Sequence, residues 1–170
     1  MTTFIALLRA VNVGGTGKLP MSELKAMCEL AGFTSVRTYI ASGNVVFDSA
    51  GPAAKVKAVL EKLLLEYAGK PVRVLVRTGP ELATVLADNP FPDAAPNHTM
   101  VIFLDGAPPA DTLATLGGLK NEKVILGERE IYVCYGDGIG QSKLKIRASD
   151  EGTARNINTV TKLVEMAAAR

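Results

Sequence analysis

A chain of 170 residues and 17.9 kDa, 48% hydrophobic and 21% charged, has the composition of an ordinary globular protein and room for one compact domain or two small ones. Its longest apolar runs, such as Phe4–Leu8, fall far short of the roughly 20 residues a membrane-spanning helix needs, so no membrane partner is expected. Two cysteines and one histidine leave nothing with which to build a zinc site or a disulfide framework, and the net charge of +2 announces no polyanionic partner by itself.

The charge is uneven, with 10 basic and 5 acidic residues in 1–78 against 9 and 12 in 79–170. Such a field can steer an anion to one face, or it is the asymmetry of a solvated surface. Cys28 lies in an apolar helical pattern and Cys134 in an apolar strand, IYVCY. Both look like small buried hydrophobes, which points to a reducing cytoplasm. The start of the chain lacks the positive region of a signal peptide and is expected to be a strand.

Taken in chain order, Thr3 to Arg9 is an apolar run that predicts a strand, followed by the loop NVGGTGKL. Pro20 opens a helix whose Met21, Leu24, Met27, Cys28 and Ala31 share one face, with Gly32 as its stop. A strand from Val36 to Ile40, the turn Ala41–Asn44 and the run Val45–Phe47 predict a hairpin. Pro52 opens a second helix, striped by Val56, Val59, Leu60, Leu63, Leu64 and Tyr67, and Val72–Arg77 alternates as a half-buried strand. The order β-α-β-β-α-β is the split-βαβ, ferredoxin-like arrangement.

The second half begins with a helix from Glu81 to Ala87, with Thr78 and Glu81 in capping-box register. Strands are expected at Thr99–Leu104, near Val124 and at Ile131–Tyr135, a helix near Ala110–Leu116, a short helix after Gly140, and a long last helix with Ile157, Val160, Leu163, Val164 and Ala167 on one face. This repeats β-α-β-β-α with a helix where the last strand should be. The predicted fold class is therefore α/β (α+β): two ferredoxin-like βαββα(β) subdomains in tandem, with mostly antiparallel sheets and helices packed on them. The expected division is 1–78, a junction at 79–98 marked by Pro90, Pro92 and Pro96, and 99–170.

In that topology the first and third strands are central and antiparallel, so the end of the first lies beside the start of the third. Arg9, Asn12, Gly14 and Gly15 then share a rim with Ser42, Gly43 and Asn44. The rim carries a guanidinium, amides, a hydroxyl and flexible backbone N–H groups, a set suited to carboxylate or phosphate. Asn12, Ser42 and Asn44 are equally ordinary turn residues that bond their own backbone, and Arg9 can simply pair with a carboxylate.

Other motifs carry less. The segment Asn12–Leu19 lacks both the first glycine and the Ser or Thr after the lysine that a P-loop requires. Gly136–Gln141 misses the dinucleotide fingerprint, because its third glycine comes one place early. What remains there is a glycine turn leading to Ser142 and Lys143, either a phosphate-holding helix start or a plain capped hairpin exit. The S-x-x-K pattern occurs twice, at Ser22/Lys25 and Ser142/Lys145, and so carries little weight. His98 lies in a proline-rich loop and is expected to be a surface residue. The aromatic positions of an RNA-recognition motif fall on Asn44 and Val46, so no stacking platform is expected. Asn156 suits the N-cap of the last helix, and Arg155 is either a ligand contact or a partner of Asp150 or Glu151.

Five stretches together, L7–G15, R37–F47, N89–F91, D137–L144 and R155–L163, resemble a bacterial family of unknown function, domain-of-unknown-function family 1697. The resemblance implies an α/β fold of ferredoxin-like subdomains in a cytoplasmic bacterial protein, and no activity. Its characteristic polar positions correspond here to Arg9, Asn12, Gly14, Gly15, Ser42, Gly43, Asn44, Lys143, Arg155 and Asn156, largely the rim derived from topology. Ala10 and Ala41 depart from the bulkier or polar residues of the pattern and leave the rim chemistry untouched. The expected function is binding of a small anionic, phosphate-bearing ligand or nucleotide. The alternatives are a nucleic-acid module working through phosphate contacts, or a protein-interaction module with a purely structural rim. No cofactor or metal is expected, and the sequence assigns neither nucleophile nor base nor oligomeric state.

Overall fold

The computed structural model describes residues 1–12, 18–136 and 138–169. Among them the elements run β1 (Thr2–Leu8), α1 (Met21–Leu30), β2 (Thr34–Tyr39), β3 (Asn44–Ser49), α2 (Ala53–Ala68), β4 (Val74–Thr78), α3 (Gly79–Ala87), β5 (Thr99–Phe103), β6 (Lys123–Leu126), β7 (Glu130–Cys134), β8 (Thr153–Asn156) and α4 (Ile157–Ala168). The chain divides into one compact unit of residues 1–83 with 162–170 and a second of residues 84–161. Each holds a four-stranded antiparallel sheet, ordered β2-β3-β1-β4 in the first and β6-β7-β5-β8 in the second. No helix among the described residues is long and apolar enough to cross a membrane.

Unit 1 is wound as its sequence predicts. Proline sits immediately before both α1 and α2, where its fixed φ suits a helix start and its missing N–H costs nothing. Gly69 ends α2 in the left-handed conformation at φ 72°, its N–H returning to the Leu65 carbonyl. Alternate residues of the central strands, Phe4, Ala6 and Leu8 with Val45 and Phe47, form a core with Leu24, Cys28, Leu60 and Leu64 of the two helices. Phe33 stacks on Phe47 with ring centroids 4.3 Å apart. The other face of the sheet is also buried: Ile5, Leu7, Asn44, Val46 and Leu75 have no exposed surface, and Arg77 on β4 is 1% exposed.

Unit 2 keeps the strand order with less helix. The helix expected at Ala110–Leu116 is a run of turns instead. The Thr112 hydroxyl donates to the Pro109 carbonyl (2.6 Å) and the Thr115 hydroxyl to that of Asp111 (3.0 Å), and Gly117 and Gly118 follow directly. Local hydroxyl bonding and a short span between Pro109 and two glycines leave too little for a helix. The second correction concerns the last strand. The apolar pattern predicts a helix there, whereas Thr153–Asn156 forms β8, antiparallel to β5 with Val101 opposite Arg155. Of the two helices expected after Gly140, the short one gives way to 3-10 turns at Ile139–Gln141 and Arg147–Glu151, and the long one is α4.

In unit 1 the sheet closes at the exit of β1, where the Leu8 N–H donates to the Gly43 carbonyl at 2.9 Å. Gly43 has φ +89°, and a Cβ there would lie 2.7 Å from Val11 Cγ2 and 2.9 Å from Leu8 Cβ. Gly43→Ala is therefore expected to destabilise the protein by about 2 kcal/mol or more, through strain and overlap together. Gly69→Ala has the same sign of φ but open space around it, and about 1 kcal/mol is expected. Urea midpoints of the two variants measure the difference, and equal losses would mean that crowding at Gly43 counts for nothing.

Candidate functional site

Antiparallel pairing sets Leu7 opposite Asn44 and Leu8 opposite Val74, so three chain segments meet at one edge of unit 1. Asn12 ties that edge together. Its Nδ2 donates to the Leu19 carbonyl (2.9 Å) and to the Ala41 carbonyl (2.8 Å), while its Oδ1 accepts from the Leu19 N–H (2.6 Å). One amide thus holds Leu19 beside residue 12 and joins both to the β2–β3 turn. Gly14 and Gly15 lie outside the described residues. Asn44, fully buried, donates from Nδ2 to the Tyr39 carbonyl and to the Ser42 hydroxyl, both at 2.9 Å.

The backbone at this edge is held in unusual conformations. Ala10, Asn12 and Ile40 have φ of 55°, 57° and 49°, and Gly43 has 89°. A non-glycine residue in this region costs on the order of 1 kcal/mol or more, and the amide bonds of Asn12 and Asn44 hold the chain there. Arg9 is half-buried, and its N–H donates to the carbonyl of exposed Arg73 at 2.9 Å. Two arginines therefore stand side by side at the ends of β1 and β4. Arg73 escapes sequence analysis because it reads as the polar half of a strand alternation; the signal that could have found it is the β1–β4 pairing of the split-βαβ order.

The remaining candidates belong to unit 2. Asn156 caps α4, its Oδ1 accepting from the Thr159 N–H at 2.9 Å. Arg155 is buried, and its Nη1 donates to the Thr153 hydroxyl (2.7 Å) and the Ala154 carbonyl (2.9 Å). Desolvation pulls its pKa down to about 10. Lys143 is exposed, next to Ser142, whose hydroxyl donates to Glu122 Oε2 at 2.7 Å and accepts from the Leu144 N–H at 3.1 Å. The Lys120 N–H donates to the other Glu122 oxygen at 2.8 Å. These bonds hold the Glu122 carboxyl below the usual carboxylate range, the Lys120 N–H being the largest cause and the Ser142 hydroxyl the next. A carboxylate so stabilised is a weak base, which makes the pair a brace rather than an activated nucleophile.

Other chemistry finds little purchase. Burial pushes the Cys28 thiol up to about 12, so it carries no thiolate near neutral pH. Among the described residues no group of three or more His, Cys, Asp or Glu side chains is placed to hold a metal ion.

Asn12→Ala removes three hydrogen bonds and strands the Leu19 amide, so a loss of about 1–3 kcal/mol is expected in chemical denaturation. A loss below about 0.3 kcal/mol would mean that solvent replaces the amide. For Glu122 the sign follows from its lowered pKa: its stabilisation is present above the ordinary carboxyl value and is lost as pH falls through the folded one. The melting-temperature gap between wild type and Glu122→Gln should therefore shrink as pH falls below about 4. A gap constant with pH would refute the brace.

The sequence profile of the family described as "Protein of unknown function (DUF1697)" matches residues 1–132. No curated protein matches the chain. Among solved structures, the conserved bacterial protein SP0830 from Streptococcus pneumoniae is similar at 24% identity, with a TM-score of 0.81 and 98% of each chain covered. At that identity the likeness is one of fold.

Proposed function

The chain belongs to the DUF1697 family, and from that premise we propose that unit 1 binds a small phosphate-bearing anion at the edge where β1, β4 and the β2–β3 turn meet. The observation that carries this reading is the strained backbone gathered beside two arginines: Ala10, Asn12 and Ile40 all have positive φ, next to the Arg9–Arg73 contact. Strain of this kind persists where the surrounding structure over-determines it, and it concentrates at ligand sites. In this reading Arg9 and Arg73 supply charge and bidentate donors. Asn12, Ser42, Gly43 and Asn44 hold the edge in shape without spending their own polar groups on the ligand. The two free cysteines, Cys28 and Cys134, support a reducing, cytoplasmic setting in which phosphorylated metabolites are plentiful.

A thermal-unfolding series with phosphate, nucleotides and phosphorylated sugars at fixed salt tests the proposal. At 100 times its dissociation constant a ligand stabilises by about 2.7 kcal/mol, roughly 5–10 °C for a chain of this size. Arg9→Ala and Arg73→Ala should each abolish the shift with the unliganded melting temperature little changed. No shift with any anion, or a shift that survives both substitutions, refutes the site.

A further inference from the structure

We propose that unit 2 carries a second, separate anion surface: an extended basic comb, Lys143, Lys145 and Arg147 flanked by Lys120 and Lys123, that binds the sugar–phosphate backbone of a single-stranded nucleic acid. Five of the nine basic residues in positions 79–170 fall in two short segments, 117–123 and 141–147. The structure staples those segments together. Gly117 and Lys145 exchange backbone hydrogen bonds of 3.0 and 2.8 Å, and Ser142 bonds Glu122 at 2.7 Å. All five basic side chains are exposed, and the one acidic residue between them, Glu122, is buried and committed to Ser142 and the Lys120 N–H. Among the described residues Lys123, Lys143, Lys145 and Arg147 form no side-chain hydrogen bond or ion pair.

The arrangement is linear. Leu144 and Ile146 pack into the core of unit 2, so Lys143, Lys145 and Arg147 stand on the opposite side of the same stretch. Every second residue of an extended chain recurs at about 7 Å, which spaces Lys143 from Lys145 close to successive phosphates of a stretched single strand, and Arg147 follows where the extended stretch enters its 3-10 turn. A row of flexible point charges at that interval follows a backbone and reads no bases. Leu144 and Ile146, which alternate with Lys143, Lys145 and Arg147, point inward, so that row presents charge alone. Exposed Leu119 and Ile125 stand beside Lys120 and Lys123, and a lipid surface is therefore the rival occupant that the vesicle measurement below tests. The surface is local, in a half of the chain whose acidic residues outnumber its basic ones.

Fluorescence anisotropy with labelled oligo-dT and oligo-U, using the full chain at low salt, provides the test. The comb predicts binding whose log–log salt slope lies between about −2 and −3.5, for three to five phosphate contacts on a single strand. Lys143→Glu/Lys145→Glu/Arg147→Glu should weaken it at least tenfold. The milder Lys143→Ala/Lys145→Ala should flatten the slope by about 1.4 and guards against misfolding of the first variant. The charge-matched control Lys25→Glu/Lys55→Glu/Lys62→Glu, at exposed sites of unit 1, should bind as wild type does. No binding at low salt, equal weakening by the control, or attachment to phosphatidylserine vesicles without binding of oligonucleotides would each overturn the proposal.

Discussion

The hydrogen-bonded closure between the exit of β1 and the β2–β3 turn is the constraint on which unit 1 depends. The Leu8 amide reaches the Gly43 carbonyl, Gly43 leaves room for Val11 and Leu8, and Asn12 holds both Leu19 and Ala41. Leu8, Val11 and Leu19 are themselves core residues. The polar edge is therefore continuous with the apolar interior, and its shape is set by the same packing that stabilises the sheet. That continuity is what allows positive φ at three non-glycine residues, and the backbone hydrogen bond from Arg9 to Arg73 keeps the two arginines in a fixed relation.

The two units solve the same topological problem with different amounts of helix. Strand orders β2-β3-β1-β4 and β6-β7-β5-β8 correspond position by position. The last strand of each carries a buried arginine, Arg77 and Arg155, whose Nη1 donates to the carbonyl of the residue before it, Val76 and Ala154. Each strand then runs straight into a capped helix. Thr78 and Glu81 form a reciprocal capping box at α3, and Asn156 caps α4. A buried guanidinium is costly to desolvate, and bonding it to the backbone of its own strand offsets part of that cost. The recurrence of this device at equivalent positions argues that the chain is a structural duplication, with turns standing where unit 1 has α1 and α2.

Unit 1 was legible because its signals agree: prolines before both helices, 3.6-residue stripes, apolar strands and a glycine turn. The edge residues were legible too, since the split-βαβ order alone brings Arg9 and Asn12 to Ser42–Asn44. Their division of labour was not. An asparagine looks the same in sequence whether it binds a ligand or staples a loop, and only the three bonds of Asn12 distinguish the cases. In unit 2 the strand β8 was missed because its pattern is inverted: Thr153 and Arg155 are buried while Ala154 is exposed. Hydropathy finds a strand only when its inward residues are apolar. The helix expected at Ala110–Leu116 failed for the opposite reason, since its apolar spacing is adequate but threonine hydroxyls and two glycines redirect the backbone.

Native-state hydrogen exchange of the Leu8 and Leu19 amides tests most directly whether the edge belongs to the core. If it does, both amides exchange only as fast as those in the middle of β1, through unfolding of the whole unit. Exchange of Leu19 orders of magnitude faster than of Ile5 would contradict the account, because the Asn12–Leu19 bond would then open without the sheet and the edge could not hold a strained, ready-made shape.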